Sequence, residues 1–141
     1  MRLERLCEME LAYEGGFTLI RPYGGQEGAG YGAGTGTVRG ERLSGTVRWV
    51  NHPRRRGDGA MLPDAHGVIQ TDDGATVLFS LSGRTFYGED RQGRQTQTVL
   101  FEAEDERYRW LNSAYCVLEG LIDGARLVMR GHVLACINEL A

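Results

Sequence analysis

The stretch from Trp49 to Ala75 holds most of the side chains in this 141-residue chain that could transfer protons or bind anions. It contains two of the three histidines, three successive arginines and several carboxylates. Asp64 and His66 lie two residues apart, so in a strand both side chains face the same way. If that face lines a cavity, the carboxylate could act as a general base and the imidazole as a proton shuttle. The alternative is a turn cap at Asp64 and a surface histidine.

Arginine occurs in two settings. Arg84 lies inside the run LFSLSGRTFYG, where a guanidinium serves either as a buried ion-pair anchor or as a clamp for a developing enolate. Residues 54–56 are all arginine and follow Pro53, which disfavours helix, so they belong to a loop or turn. We expect the run to form a rim that attracts an anionic group of a ligand, with Arg54 as the residue that orients the substrate. The alternative is a solvated loop whose arginines pair with nearby acids.

Further substrate-binding groups are expected around the catalytic ones. Polar side chains would orient the substrate, and amphipathic aromatic rings would form the pocket wall. Each aromatic residue could equally belong to an ordinary core or interface. The predicted substrate-binding residues are Trp49, Asn51, His52, Arg54, Tyr87 and Tyr115.

Motifs for metals and cofactors are weak in this sequence. His52, His66 and His132 match no HxH or HExxH spacing, and no GxSxG motif for a serine nucleophile occurs. All 16 basic residues are arginine, which removes Schiff-base and P-loop lysine chemistry. We therefore predict neither a metal nor a cofactor.

Composition limits the remaining classes of protein. The chain is long enough for one domain with a substantial core, and 41% of its residues are hydrophobic. A net charge of -3 argues against nucleic-acid binding, and no apolar run reaches membrane-spanning length. The opening MRLERLCEMELAYE is no secretory signal, so we expect a cytoplasmic protein. Three widely spaced cysteines fit buried thiols better than a disulfide framework or a zinc site.

Glycine and β-forming residues determine the expected elements. The 21 glycines are spread along the chain, and each would weaken a helix by about 1 kcal/mol. Between them lie runs rich in Val, Leu, Thr, Phe and Tyr. Asp73-Gly74 and Asp123-Gly124 are hairpin-turn signals, and residues 102–112 are the best candidate for a short helix. Strands are predicted at 4–13, 17–22, 34–38, 42–50, 67–71, 76–86, 97–103, 113–118 and 126–137.

Many short strands joined by tight turns predict one all-β domain over residues 1–141. We expect an antiparallel up-and-down β-barrel of about eight to ten strands with at most one short helix. Closure leaves no exposed sheet edge, and a small barrel can hold one ligand. Residues 28–33 formally match a dinucleotide-binding pattern, but no helix follows them. We interpret the glycine-rich residues 24–36 as a flexible loop over the barrel mouth.

Three segments carry a resemblance to a known family: GERLSG at 40–45, LPDAHGVIQTDDGA at 62–75 and YRWLN at 108–112. They resemble motifs of the bacterial and fungal family known as domain of unknown function 3237. The resemblance implies an antiparallel barrel similar to those of allene oxide cyclase and dirigent proteins, which guide reactive small molecules through cyclisation or coupling. It places Asp64 at the family's acidic position, whereas His66 and Gly67 stand where many members have arginine and tyrosine.

These features predict a cofactor-free isomerase, cyclase or hydratase that acts on a small, largely apolar, oxygenated metabolite. Its catalytic residues would be Asp64, His66 and Arg84. Two alternatives remain open: a carrier or sensor that binds a small molecule without chemistry, and a homodimeric structural protein whose barrel is filled by side chains. The expected partners are a small-molecule ligand and a second copy of the chain, with neither nucleic acid nor membrane.

Overall fold

A computed structural model describes residues 1–140. Within them the chain forms strands joined by turns, together with one 3-10 helix (Glu106–Ser113). The strands are β1 (Arg2–Ile20), β2 (Gly28–Arg39), β3 (Gly45–Asn51), β4 (Arg54–Arg55), β5 (Met61–Leu62), β6 (Asp64–Thr71), β7 (Thr76–Tyr87), β8 (Gln92–Ala103), β9 (Cys116–Asp123) and β10 (Val128–Ile137).

Eight of these strands close into an antiparallel barrel, which confirms the predicted fold class. The ring runs β1, β2, β3, β6, β7, β8, β9 and β10, and β10 pairs back onto β1. Strands β3 and β6 are short, so beyond their ends the two-residue strands β4 and β5 bridge from β2 to β7. The barrel therefore has one end whose rim is built by β4 and β5, which we call the open end, and an opposite end beside the 3-10 helix.

Alternate side chains along each strand point into the barrel and fill the half that lies nearer the 3-10 helix, which we call the lower half. Val38, Val47, Ile69, Val99 and Val133 are almost completely buried there, each on a different strand. This alternation is the period of two that a barrel strand requires, with one face apolar and the other solvated. The lower half is therefore a packed core, and within residues 1–140 the barrel interior leaves space for a ligand only toward the open end.

The glycine-rich segment is a strand, and its interpretation as a flexible loop is wrong. Strand β2 runs from Gly28 to Arg39 and pairs with both β1 and β3. A Cβ atom on Gly32 would fall on the ring of Tyr13, and one on Gly30 would fall on the ring of Phe17. Glycine is required at these positions because aromatic rings from β1 pack directly on the backbone of β2.

Several predicted boundaries change for local reasons. The two strands predicted over residues 4–22 form a single strand, β1, whose register shifts between Glu14 and Thr18 around two glycines with positive φ. The helix predicted at 102–112 is a 3-10 helix that begins later, because Asp105 caps it by accepting a hydrogen bond from the backbone N–H of Arg107. The Asp73-Gly74 and Asp123-Gly124 signals are confirmed as turns between paired strands.

The 3-10 helix closes one end of the barrel, which we call the closed end. It buries Tyr108 and Leu111 against the core. The Tyr108 hydroxyl donates to Asp73 Oδ1 at 2.8 Å, and Thr71 Oγ1 donates to the same oxygen at 2.6 Å. These hydrogen bonds, first the one from Thr71 and then the one from Tyr108, lower the pKa of Asp73. The polar side chains at the closed end are thus paired with one another.

Candidate functional site

The open end of the barrel contains a cavity of about 430 Å³. That volume lies within the range of about 300–1,000 Å³ that is usual for small-molecule sites. The cavity wall combines apolar side chains such as Phe17, Met61 and Ile122 with a smaller polar set. The polar lining residues are Tyr13, Asn51, Arg55, Thr85, Tyr87, Arg91 and Gln95.

A much smaller void of about 30 Å³ lies next to this cavity on the side of the core. It shares Tyr13, Asn51 and Gln95 with the cavity above and adds Trp49 and Gln97. Its volume is close to the space that one water molecule occupies, about 30 Å³. The site is therefore a wide upper cavity with a narrow lower end.

The hydroxyl of Tyr13 is held in a defined orientation by Asn51. Asn51 Oδ1 accepts a hydrogen bond from the backbone N–H of Asp64, and Asn51 Nδ2 donates to Tyr13 Oη, both at 3.0 Å. A backbone N–H can only donate, so the Asp64 amide determines which way the Asn51 amide points. Tyr13 Oη therefore accepts from Asn51, and its own proton is left for a ligand.

The environment of Tyr13 suits a proton donor. Burial raises the pKa of Tyr13, and the hydrogen bond from Asn51 opposes that rise. The phenol is thus protonated near neutral pH, while the Asn51 N–H would stabilise the oxygen after the proton has left. An acid with a preorganised donor on its oxygen is the arrangement that general acid catalysis uses.

Two guanidinium groups give the cavity positive charge. Arg54 and Arg56 pair with Glu27 at 3.0 Å and with Asp58 at 2.8 Å, respectively. Arg55, between them, lines the cavity and forms no ion pair with any of the residues 1–140. Arg91 lines the cavity from the turn between β7 and β8, and the described chain gives it no ion pair either. These two cations are therefore available to an anionic ligand.

Tyr87 lies on the cavity wall near these charges. Burial, and to a lesser degree the neighbouring Tyr13, raise its pKa, while the positive charge of Arg55 opposes the rise. Tyr87 is therefore a second neutral phenol whose hydroxyl can exchange hydrogen bonds with a ligand.

The predicted catalytic residues lie on the outer surface of the barrel, so their expected placement in the lumen is wrong. The side chains of Asp64 and His66 are each 64% exposed, and the Nε2 atom of His66 lies 3.2 Å from Asp64 Oδ1. Arg84 is also exposed and donates to the backbone oxygen of Gly83. In β6 and β7 the odd-numbered residues face inward, as Ala65 and Leu81 show, and the even-numbered residues face solvent.

The predicted substrate-binding residues divide into two groups of three. Asn51 and Tyr87 line the cavity, and Trp49 lines the narrow lower end. The other three lie outside it in contacts of their own. His52 packs against the ring of Tyr31, Arg54 pairs with Glu27, and Tyr115 exchanges a hydrogen bond with Thr98.

Several lining residues were missed at the sequence level: Tyr13, Thr85, Arg91, Gln95 and Gln97. Arg55 belongs to the arginine run that is predicted to form an anion-attracting rim, although Arg54 is the member predicted to bind substrate. A signal existed for the missed residues on regular strands, because Thr85 shares the parity of Val77, Phe79 and Leu81 along β7. No such signal existed for Arg91, which lies in a turn.

The remaining depressions and nucleophiles lie away from this cavity. A wider hollow of about 1130 Å³ beside the 3-10 helix is an open surface region flanked by charged side chains such as Glu104 and Arg109. Burial raises the pKa of Cys7 to about 12 and that of Cys116 to about 11, so both are inert thiols, as expected.

Among residues 1–140, no three His, Cys, Asp or Glu side chains come together to hold a metal ion. No helix of the described chain is long and apolar enough to span a membrane.

Solved structures share this barrel. A β-barrel-like protein from Acinetobacter baumannii AYE superposes with a TM-score of 0.84 at 17% identity, covering 95% of this chain and 94% of the other. A conserved protein of unknown function from Rhodopseudomonas palustris gives a TM-score of 0.84 at 19% identity, over 96% and 97% of the two chains. An enzyme from Penicillium herquei gives a TM-score of 0.71 at 24% identity, over 94% and 93%.

At the sequence level, the chain is 37% identical over 79 residues to a protein of Penicillium herquei named hydroalkoxylation enzyme phnH. The match covers 55% of this chain and 47% of that relative, so the chain matches about half of the relative's length. The family described as "Protein of unknown function (DUF3237)" matches residues 3–134. The chain therefore belongs to the DUF3237 family.

Proposed function

We propose that this barrel is a cofactor-free isomerase that closes a ring by adding an O–H bond of its substrate across a carbon–carbon double bond. The observation that carries the proposal is the Tyr13 hydroxyl, oriented by Asn51 in a cavity that also holds the unpaired cations Arg55 and Arg91. The name of the relative supports the same chemistry, since hydroalkoxylation is the addition of an O–H bond to an alkene.

The charges and walls of the cavity define the substrate class. Two guanidinium groups favour the ionised form of an acidic hydroxyl, such as a phenol or an enol, because a nearby cation lowers the pKa of such a group. The apolar wall favours a hydrocarbon frame, and about 430 Å³ accommodates a molecule of two or three rings. The substrate would be a phenolic or enolic compound with a double bond conjugated to a carbonyl group.

The reaction is balanced without a second reagent. The substrate hydroxyl loses its proton to water at the cavity mouth, and its oxygen forms a bond to one alkene carbon. The electrons of the double bond move onto the other carbon and its carbonyl, and this carbon takes the proton of Tyr13. The resulting tyrosinate, stabilised by the Asn51 N–H, regains a proton from water. Substrate and product are isomers, so no oxidant or reductant is needed.

A chalcone that carries an ortho hydroxyl on its ketone-bearing ring is a direct probe. Ring closure removes the conjugated enone, so the near-ultraviolet absorbance falls, and a reaction in deuterated water places one deuterium on the carbon next to the carbonyl. We expect the wild-type protein to accelerate closure and Tyr13→Phe to slow it by roughly a hundredfold or more. Tyr115→Phe is the matched control, because Tyr115 is an exposed tyrosine outside the cavity, and we expect it to retain full activity.

Equal rates for the wild-type protein and Tyr13→Phe would overturn the proposed role of Tyr13. The same assay tests the sequence-based prediction that Asp64 is the general base. We expect Asp64→Asn to retain full turnover, because the side chain of Asp64 faces solvent.

The strongest competing function is a carrier that binds such compounds without chemistry. It is favoured by the lining of the cavity, which contains no carboxylate and no imidazole within the described chain and therefore no conventional base. Saturable binding of the chalcone, with neither the absorbance change nor the deuterium uptake exceeding the uncatalysed rate, would overturn the enzyme and support the carrier.

A further inference from the structure

The inner wall of the site contains two polar atoms without partners, one on a residue that lines the upper cavity and one on a residue that lines the narrow lower end. Gln97 Oε1 and Thr85 Oγ1 are buried, and neither makes a hydrogen bond to any described residue. The two residues are 4% and 1% exposed. An unpaired buried polar atom loses its hydrogen bonds to water without replacement, so in native proteins such atoms almost always find a partner.

Neighbouring strands position these groups as one polar strip on the inner wall. Thr85 in β7 pairs directly with Gln95 in β8, and Gln97 lies two residues further along the same face of β8. Gln97 Nε2 donates to Gln95 Oε1 at 3.2 Å, which leaves Gln97 Oε1 as the free acceptor. The strip leads from the upper cavity, which Thr85 lines, to the narrow lower end, which Gln97 lines.

We infer that the ligand carries a hydroxyl group at its inner end, which donates a hydrogen bond to Gln97 Oε1, and that Thr85 bonds a second oxygen of the ligand higher in the cavity. The inference rests on the proposed function only in placing the ligand in this cavity. The ligand is then oxygenated at both ends, with an acidic oxygen at the two arginines and a neutral hydroxyl at Gln97.

The size of the lower end supports a hydroxyl rather than a larger group. A void of about 30 Å³ accepts one atom the size of a water oxygen. A methyl ether at the same position would bring an extra carbon and no hydrogen to donate. The site would therefore reject a methoxy compound on two grounds, steric and chemical.

Three probes separate the contribution of hydrogen-bond donation from that of steric fit. They are para-hydroxycinnamate, para-methoxycinnamate and cinnamate, each titrated calorimetrically. All share the carboxylate that Arg55 and Arg91 would bind. For the wild-type protein we expect the hydroxy compound to bind about tenfold more tightly than cinnamate, and the methoxy compound to bind no better than cinnamate. In Gln97→Leu the hydroxyl preference should fall to near unity, while Gln70→Leu, on the outer face of β6, should retain it.

A hydroxyl preference that persists in Gln97→Leu, or a wild-type protein that binds cinnamate without such a preference, would overturn the inference. A thermal melt without ligand provides a second readout. Gln97→Leu removes both the unpaired acceptor Oε1 and the hydrogen bond from Gln97 Nε2 to Gln95 Oε1, so its melting temperature should stay close to that of the wild type. A melting temperature several degrees lower in both Gln97→Leu and Gln97→Met would show that Gln97 Oε1 is also paired within the protein and would overturn the inference.

The failure of this inference is distinguishable from that of the proposed function. Tyr13→Phe should abolish ring closure and leave the hydroxyl preference intact, because phenylalanine keeps the ring that lines the lower end and leaves Gln97 Oε1 in place as the acceptor. A protein that discriminates the hydroxyl but closes no ring would refute the enzyme and retain the ligand class.

Discussion

The two ends of the barrel use polar side chains in opposite ways. At the closed end, Thr71 and Tyr108 both donate to Asp73, and Arg107 contacts the same turn. At the open end, Thr85 Oγ1 and Gln97 Oε1 are buried without partners among residues 1–140, and two arginines line the cavity without ion pairs to those residues. The two sets lie at opposite ends of the same barrel.

This difference indicates that the closed end stabilises the fold and that the open end binds a ligand. A satisfied network stabilises the native state, because each hydrogen bond adds to stability and none waits for a ligand. An unsatisfied set contributes nothing to folding and gains its partners only on binding. Mutations at the closed end should therefore change stability and leave binding unchanged, whereas mutations at the open end should do the reverse.

The largest expected effect is at the closed end. Leu111→Ala removes a completely buried side chain of the 3-10 helix, and we expect a loss of about 3 kcal/mol in the free energy of unfolding because the core cannot fully collapse around the gap. Urea denaturation measures the loss. Affinity for para-hydroxycinnamate should be unchanged under native conditions, and a change in affinity of more than a few fold would break the separation of the two ends.

A subtler change at the same end removes a single hydrogen bond. Tyr108→Phe deletes the donor to Asp73 Oδ1 and should lower the free energy of unfolding by about 1 kcal/mol. The comparison with Tyr13→Phe sharpens the contrast: the first variant should lose stability and keep turnover, and the second should lose turnover. If the two variants lost stability and turnover to the same extent, Tyr108 and Tyr13 would not have distinct roles.

Acid should weaken the closed end first through Asp105. Hydrogen bonds from the side chain and backbone of Arg107 lower the pKa of Asp105 to about 2. A carboxyl whose folded pKa is depressed adds stability above its ordinary pKa, and this stability is lost as the pH falls toward the folded value. We expect the wild-type melting temperature to fall between pH of about 4 and about 2, and Asp105→Asn to show a shallower fall. If the melting temperatures of the two proteins fall in parallel with pH, the pairing of Asp105 with Arg107 does not contribute to the stability of the folded state.

The smallest stability change is expected at the open end. Thr85→Val preserves shape and removes a hydroxyl that has no partner, so the free energy of unfolding should stay within about 0.5 kcal/mol of wild type or rise slightly. Affinity for an oxygenated ligand should fall. A destabilisation as large as that of Tyr108→Phe would mean that the Thr85 hydroxyl is satisfied in the folded protein.

The alternation of residue types was sufficient for the architecture but was not fully used for the site. In β6, Ala65, Ile69 and Thr71 share one parity, and Asp64 and His66 share the other. That pattern already places the acid and the imidazole on the solvent face. The lumen placement predicted from the acid–imidazole pairing is wrong, because a one-residue difference in parity moves a side chain from one face of a barrel to the other.

Other features could not be obtained from local patterns. The glycines of β2 read as a loop because the aromatic rings that occupy their missing side-chain space come from β1 and β3, far along the chain. Arg54 and Arg55 are adjacent and chemically identical, yet Arg54 pairs with Glu27 and Arg55 lines the cavity. Only the pairing of β4 with β2 decides which of them faces inward.

The sequence alone determined the all-β class, the antiparallel barrel, the main turns and the family resemblance, because period-two patterns, glycine spacing and short motifs are local properties of the chain. The tertiary structure decided which tyrosine, arginine and glutamine residues share a cavity. Those contacts join β1, β3, β7 and β8, and they depend on barrel closure and register, which bring together residues that are distant in sequence.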